Sequence, residues 1–204
     1  MTEAISAVVF DIGKVLVEWD LRCLFRKLIA DPEELEWFVA NVVTEAWHYQ
    51  VDQGRPLAEI VAERIAEFPE HRGLIEAYAT RYNETIPGPV PGSIALVEAL
   101  HAAQVPLFAI TNFGAEFWEQ FRPQWPVLDL FSDIVVSGIE KLHKPDPAIF
   151  ALSAARFGLA PEAMLFIDDN PANTGAAAGC GWQVHHFTDS ERLEQDLRGR
   201  GLLA

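Results

Sequence analysis

Short, continuous apolar runs recur along the chain, and each ends at a polar residue. They cover Ala7–Phe10, 106–110, Asp133–Val136 and 164–167, with 183–187 as a weaker fifth run. Continuous apolar runs are typical of strands buried on both faces of a parallel sheet. Helical patterns at about 93–103, 114–122, 146–157 and 171–179 alternate with these runs. The sequence therefore predicts repeated βα units in a doubly wound parallel α/β sheet.

One long segment interrupts the alternation, because residues 21–86 carry helical periodicity and no convincing strand. Its first predicted helix has one apolar face, made of Leu21, Leu24, Phe25, Leu28 and Ile29. Asp31 and Pro32 are typical of the N-cap and first turn of a second helix, and 57–68 and 74–86 supply two more. A linker rich in proline and glycine follows at 87–92. We predict a small all-helical domain at 17–89, inserted after the first strand of a core formed by 1–16 and 90–204.

Charge and composition exclude several classes of partner. The 204 residues include 15 Lys and Arg against 30 Asp and Glu, a net charge of −15. Nucleic-acid backbones and anionic membrane surfaces require basic patches, so neither is expected as a partner. The two cysteines have no metal-ligand spacing, and neither a signal peptide nor a membrane-spanning run is evident. We expect a cytoplasmic protein, and nothing in the sequence indicates its oligomeric state.

Polar side chains follow several of the predicted strands. In an open parallel sheet, ligands bind beyond the carboxyl ends of the strands. Carboxylates that converge there need a cation, and oxygen ligands favour a hard ion such as Mg²⁺. A hydroxyl group and a lysine nearby would suit a phosphate, with one aspartate as a possible nucleophile. Each residue alone is ordinary turn or helix-capping chemistry, and it is their order along the chain that points to a site: Asp11, Thr111, Asn112, Lys144, Asp168 and Asp169.

This ordered set resembles the motifs of the haloacid dehalogenase superfamily, most of whose members are Mg²⁺-dependent phosphatases with a Rossmann-like core. The four matching segments are VVFDIGKVL at 8–16, ITN at 110–112, KP at 144–145 and FIDDN at 166–170. The helical insertion lies where the family places its cap. Within the family, the chain is most similar to small phosphatases with an Asp-x-Gly first motif. These include sugar-1-phosphate phosphatases and the phosphatase domain of soluble epoxide hydrolases.

The resemblance implies a role for each matched residue and a small phosphorylated metabolite, with sugar phosphates among the candidates, as substrate. Asp11 would attack phosphorus, and Lys144 would balance the charge between this nucleophile and the phosphate. Thr111 and the backbone of Asn112 would bind phosphate oxygens. The implied Mg²⁺ ligands are Asp11, the carbonyl of Gly13 and Asp169, with Asp168 beside them or bound through water.

Gly13 departs from the family pattern, since most family phosphatases carry a second aspartate there as general acid and base. General acid–base catalysis is typically worth about 10²–10⁴-fold in rate. Either the substrate has a good leaving group or the helical insertion supplies an acid, and His48 is the candidate because histidine titrates near neutral pH. Trp19, Arg22 and Trp47 are further candidates for a substrate pocket, against the alternative of ordinary packing. Lys14 either adds charge at the phosphate or points to solvent.

Two other functions remain open at this stage. A 2-haloacid dehalogenase would use Asp11 to displace halide from carbon, which fits the missing second aspartate. The Asp168–Asp169 pair opposes it, because family dehalogenases have neutral residues there and adjacent carboxylates would repel an anionic substrate. A catalytically weak member that binds phosphate ligands is the second alternative, motivated by Gly13 and Lys14.

Overall fold

Five parallel strands form one sheet in the computed structural model, which describes residues 4–204. The order across the sheet is β3-β2-β1-β4-β5, so the predicted doubly wound parallel sheet is confirmed. The strands are β1 (Ala7–Phe10), β2 (Leu107–Thr111), β3 (Asp133–Val136), β4 (Met164–Asp168) and β5 (Gln183–His186). Residues 1–3, which the sequence assigns to the core, lie outside the described residues.

The central strands are apolar up to their carboxyl ends because both faces of the sheet are covered. Val8 and Phe10 pack into one hydrophobic cluster, whereas Ala7 and Val9 pack into another on the opposite face. All four residues of β1 are completely buried. This double burial explains why the sequence shows continuous apolar runs rather than alternation.

Helices surround the sheet and fill the segment after β1. The helices of that segment are α1 (Arg22–Phe25), α2 (Pro32–Asn41), α3 (Glu45–Asp52), α4 (Leu57–Glu67) and α5 (Arg72–Thr80). Those that follow are α6 (Ser93–Ala102), α7 (Ala115–Phe121), α8 (Ser137–Glu140), α9 (Pro147–Phe157), α10 (Pro171–Gly179) and α11 (Ser190–Gly199). No helix within residues 4–204 is both long and apolar enough to cross a membrane.

The first predicted helix of the insertion is much shorter than its periodicity suggests. Within residues 21–29, only the four residues of α1 are α-helical. The N–H groups of Lys27 and Leu28 instead bond to carbonyls three residues back, in the tighter 3₁₀ pattern. Leu28 is consequently 38% exposed, while the other four apolar residues of the predicted face are buried. The next helix begins as predicted: the Asp31 side chain accepts a hydrogen bond from the N–H of Glu33, and Pro32 occupies the first turn.

Helix α3 brings the insertion onto the sheet edge where β2 and β3 end. Ser137 donates a hydrogen bond from its hydroxyl to the Asp52 carbonyl at 2.5 Å, and the Tyr49 hydroxyl donates to the Lys144 carbonyl at 2.8 Å. A Cβ atom on Gly114 would lie 2.3 Å from Cγ1 of Val51, so this approach requires glycine. We propose residues 17–89 as a helical domain seated over the carboxyl ends of the strands.

Candidate active site

Three aspartates meet at the carboxyl ends of β1 and β4. These strands are neighbours with Phe10 opposite Ile167, so Asp11 and Asp168 emerge side by side. Carboxylate oxygens of Asp11, Asp168 and Asp169 all lie within 4.8 Å of one another. Asp11 and Asp168 are buried, whereas Asp169 is half-buried. The topology of the sheet thus assembles the acidic group that the sequence predicts.

Lys144 places its ammonium group among these carboxylates. Its Nζ atom lies 2.8 Å from Oδ1 of Asp11, 2.7 Å from Oδ2 of Asp168 and 2.9 Å from the carbonyl oxygen of Ile110. Burial lowers the pKa of Lys144, but Asp11 and Asp168 together raise that pKa above its ordinary value. Lys144 therefore stays protonated although its side chain is only 1% exposed.

One ammonium group cannot balance three carboxylates. Burial raises the pKa of Asp11, Lys144 opposes this, and Asp168 and Asp169 raise that pKa further. The pKa of Asp169 is raised as well, by burial and by Asp168. An additional hard cation would relieve this repulsion, and an all-oxygen donor set suits Mg²⁺.

The three aspartates differ in how free their oxygens are. Oδ1 of Asp168 accepts hydrogen bonds from the Asn170 N–H at 2.8 Å and from Nδ2 of Asn173 at 3.0 Å, and Lys144 holds Oδ2. Asp11, Gly13 and Asp169 instead line an open cavity. This arrangement favours Asp11, Asp169 and the Gly13 carbonyl as direct ligands of a cation, with Asp168 behind them.

Thr111 and Asn112, at the end of β2, have different surroundings. Oγ1 of Thr111 is buried and has no hydrogen-bond partner among residues 4–204, which leaves it available to a ligand oxygen. The Asn112 side chain donates to the Lys144 carbonyl and accepts from the Lys144 N–H, both at 2.9 Å. Asn112 thus fixes the backbone that carries the lysine, a role that sequence reasoning missed because it depends on a contact between distant loops.

A cavity of about 220 Å³ opens over Asp11 and Asp169 and is closed on its far side by the insertion. Its lining includes Lys14, whose Nζ lies 5.3 Å from the centroid of the Trp19 ring. The insertion and the loop after β2 contribute most of the remaining wall, namely Val17, Trp19, Glu45, His48, Tyr49, Asp52, Tyr82, Ile86 and Phe113.

The sequence predicts four residues of the insertion in the substrate pocket, and two of them, Arg22 and Trp47, lie away from this cavity. The prediction is wrong for these two residues. Arg22 forms hydrogen bonds with Glu36 at 2.8 and 2.7 Å near the surface. Trp47 packs its ring 4.9 Å from that of Tyr78 instead. Glu45, His48, Tyr49 and Asp52 line the cavity at the spacing of one helix face, and Trp47 lies outside that face.

His48 lies in the cavity wall within an aromatic cluster. Its ring stacks on Trp19 at 5.0 Å and on Tyr82 at 5.5 Å, and its Nδ1 atom is 2.6 Å from the Tyr78 hydroxyl. Burial lowers the pKa of His48 to about 3, so the imidazole is neutral at physiological pH. A neutral imidazole is a poor candidate for the proton donor that the sequence assigned to it.

Asp52 is a buried acid in the same wall that sequence reasoning missed. It lies one helical turn after His48 on α3, and its Oδ2 atom is 3.4 Å from Nε2 of His48. The i,i+4 spacing of histidine and aspartate was a signal in the sequence, but only for a helix whose orientation was known.

The sequence of residues 5–181 matches the family model for haloacid dehalogenase-like hydrolases. The chain belongs to this family of hydrolases. The family match covers both the motif residues at the sheet edge and the whole helical insertion.

Individual relatives support the same placement. The hydrolase is 26% identical over 207 aligned positions to a sesquiterpene phosphatase of Aspergillus oryzae, covering 97% of each chain. It is 33% identical over 153 positions to hexitol phosphatase A of Escherichia coli, covering 73% of this chain and 65% of that protein. A haloacid dehalogenase family enzyme of Bacteroides thetaiotaomicron shares its fold, with a TM-score of 0.75 and 21% identity over 96% of this chain and 100% of the other.

Proposed function

We propose that this hydrolase is a Mg²⁺-dependent phosphatase that cleaves a small phosphate monoester through a phosphoaspartate on Asp11. The observation that carries the proposal is the position of Asp11, which faces the cavity and contacts Lys144 at 2.8 Å within a group of three carboxylates. The Aspergillus and Escherichia relatives, which align with 97% and 73% of this chain, are phosphatases by name, and this supports the same reaction.

Each residue near Asp11 has a chemical task in this proposal. Asp11 attacks phosphorus, and the bond to the leaving oxygen breaks as the aspartyl phosphate forms. Lys144 holds Oδ1 of Asp11 and so directs the other carboxylate oxygen toward the cavity. The unpartnered hydroxyl of Thr111 donates to a phosphate oxygen. Water then attacks the aspartyl phosphate, releasing inorganic phosphate and restoring Asp11.

Asp11, Asp169 and the Gly13 carbonyl are the residues that would hold Mg²⁺, and their oxygen donors and excess negative charge fit it. When bound, Mg²⁺ supplies the positive charge that a phosphate dianion needs beside two carboxylates. The structurally similar Bacteroides enzyme has been crystallised with magnesium and inorganic phosphate, which supports this assignment.

The cavity supports a small substrate with an apolar side. Ligand pockets commonly measure about 300–1,000 Å³, and this one is smaller at about 220 Å³. Trp19, Ile86 and Phe113 contribute apolar side chains to the wall around the part of the substrate that leaves. A sugar phosphate remains within the proposal, because sugar rings also stack on aromatic faces.

The dehalogenase alternative is disfavoured by the charge of the site. A 2-haloacid is an anion, and the three carboxylates of Asp11, Asp168 and Asp169 outnumber the ammonium groups of Lys14 and Lys144 beside them. A catalytically weak binder is disfavoured because the nucleophile, the lysine and the free threonine hydroxyl are assembled together.

Phosphate release from p-nitrophenyl phosphate tests the proposal, because its leaving group departs without protonation. We expect release with Mg²⁺, none with EDTA, and none in Asp11→Asn with Mg²⁺. The matched control is Asp31→Asn, since asparagine is an equally good N-cap on the surface helix α2. Equal release with EDTA, or chloride release from 2-chloropropionate in place of phosphate release, would overturn the proposal.

A further inference from the structure

The position that lacks an acid is open in the structure. Gly13 lines the cavity, and a Cβ atom added there would meet nothing within 4 Å. No neighbouring side chain fills this space. A substrate with an alkoxide leaving group therefore needs a proton from elsewhere in the wall.

Asp52 presents its carboxyl group at this wall. The residue is 6% exposed and lines the cavity together with Asp11 and Gly13. Its Oδ1 atom is buried and has no hydrogen-bond partner among the described residues 4–204. A buried carboxylate oxygen without a hydrogen-bond donor is costly, and the neutral, protonated carboxyl is therefore the favoured form.

The other oxygen of Asp52 faces a chain of hydrogen-bonding groups. Burial raises the pKa of the Tyr78 hydroxyl well above its ordinary value, so this hydroxyl keeps its proton, and we assign it as the donor to Nδ1 of His48, 2.6 Å away. We assign the His48 proton to Nε2 on this basis, and Nε2 lies 3.4 Å from Oδ2 of Asp52.

The surroundings of Asp52 favour the protonated carboxyl. Burial raises the pKa of Asp52 to about 8; the backbone N–H of Gly114 and the ammonium of Lys144 oppose this, and Asp11 adds to it. The charge of Asp11 therefore acts on the Asp52 carboxyl. The titratable groups around Asp52 are His48 and Tyr49 of its own helix, Tyr78 and Tyr82 of the insertion, and Asp11 and Lys144 of the core.

We propose that Asp52 is the general acid and base of this site, supplied by the helical insertion in place of the side chain absent at Gly13. The inference rests on the proposed phosphatase function. As Asp11 bonds to phosphorus and the bond to the leaving oxygen breaks, that oxygen takes the proton from the carboxyl group of Asp52. The resulting Asp52 carboxylate then removes a proton from the water that attacks the aspartyl phosphate, which restores both residues.

Other residues of the wall suit this task less well. The Tyr49 hydroxyl is engaged with the Lys144 carbonyl at 2.8 Å, and burial raises its pKa. His48 is neutral and directs both ring nitrogens at protein groups. We assign His48 and Tyr78 as positioning residues, which hold the Asp52 carboxyl in place.

The test is a comparison of para-substituted phenyl phosphates, which have nearly the same size but leaving groups of different basicity. In Asp52→Asn, we expect kcat/KM to fall about 10- to 100-fold more for p-methoxyphenyl phosphate than for p-nitrophenyl phosphate, given the usual worth of a general acid. The wild type should show a shallow dependence on leaving-group basicity and the variant a steep one. Asp31→Asn should keep the wild-type slope.

Each outcome has a separate meaning. A loss of equal size across the series, or no loss, would overturn the role of Asp52 while leaving the phosphatase proposal intact. Failure of the wild type on p-nitrophenyl phosphate with Mg²⁺ would instead overturn the phosphatase proposal.

A second measurement needs no variant and so does not depend on how Asp52→Asn folds. For the wild type, kcat/KM of p-methoxyphenyl phosphate should fall as the pH rises through about 8, because the acid loses its proton. The value for p-nitrophenyl phosphate should not follow this limb. Identical pH profiles for the two substrates would contradict the proposal.

Discussion

Lys144 and Asp11 form a buried ion pair, with Nζ and Oδ1 2.8 Å apart, at the point where the sheet meets the cavity. Lys144 also bonds to Asp168 at 2.7 Å, so a single ammonium group holds the carboxylates at the ends of β1 and β4. The pair therefore contributes both to the stability of the sheet edge and to the orientation of the nucleophile.

Replacing Lys144 with methionine should destabilise the protein strongly. The change leaves two buried carboxylates uncompensated, and breaking such a pair typically costs about 3–5 kcal/mol. Urea unfolding measures the loss. The matched control is Lys27→Met, which removes an ion pair with Glu84 at the surface and should cost no more than about 1 kcal/mol. Equal losses in the two variants would contradict the structural role of Lys144.

Replacing Asn112 with alanine should reduce kcat more than it raises KM. Both hydrogen bonds from the Asn112 side chain to the Lys144 backbone are lost, so the ammonium is no longer held in register with Asp11. Misplacement of a catalytic group by about 1 Å can cost about 100-fold in rate. Steady-state kinetics on p-nitrophenyl phosphate measure the effect. The control is Asn41→Ala, which removes an exposed hydrogen bond within α2. A similar small effect on kcat in the two variants would contradict the role of Asn112 in positioning Lys144.

Introducing aspartate at Gly13 should restore a proton donor to the Asp52→Asn variant. The space next to Gly13 is open, so the new carboxyl can enter the cavity without displacing a neighbour. We expect kcat/KM for p-methoxyphenyl phosphate to rise at least about tenfold over Asp52→Asn alone, which is below the full value of a general acid. The contrary result is a double variant that hydrolyses p-nitrophenyl phosphate and still shows no recovery on p-methoxyphenyl phosphate. That result would contradict the inference that Asp52 is needed because position 13 lacks an acid.

The His48 and Asp52 titrations should oppose each other in the pH dependence of stability. The folded pKa of His48, about 3, lies below its unfolded value of 6.5, so its contribution is present above pH 6.5 and is lost as the pH falls. The folded pKa of Asp52, about 8, lies above its unfolded value of 3.8, so its contribution grows as the pH falls from 8 toward 3.8.

Removing the Asp52 carboxyl should therefore expose the His48 effect. From pH 6.5 to pH 5, the free energy of unfolding of Asp52→Asn should fall by about 2 kcal/mol relative to that of the wild type. This difference follows because one pH unit corresponds to about 1.4 kcal/mol per proton. Urea unfolding at the two pH values gives this difference. Parallel pH dependence of the wild type and the variant would show that Asp52 is already ionised in the folded protein.

The sheet and its polar ends were predictable because the information is local. Double burial makes the central strands apolar up to their carboxyl ends, and Asp31 and Pro32 start a helix by contacts within one turn. The predicted strands end at 110 and 167, whereas β2 and β4 include Thr111 and Asp168, because a polar residue can complete a strand whose apolar run has ended.

The wall of the cavity was not predictable in the same way. Whether Trp47 or His48 faces the site depends on the rotation of α3, which is fixed by the contacts of Tyr49 with Lys144 and of Asp52 with Ser137. Those contacts join residues more than 80 positions apart in the sequence. The place of Asp52 in the cavity wall, and the hydrogen bonds of Asn112 to the Lys144 backbone, become evident only when these distant segments are brought together.

The most direct measurement is the mass of the peptide that contains Asp11 after an acid quench during turnover of p-nitrophenyl phosphate with Mg²⁺. The account predicts that this peptide gains the mass of one phosphoryl group, and that the gain disappears in Asp11→Asn. Phosphate release with an unmodified Asp11 peptide, or release that persists in Asp11→Asn, would contradict it.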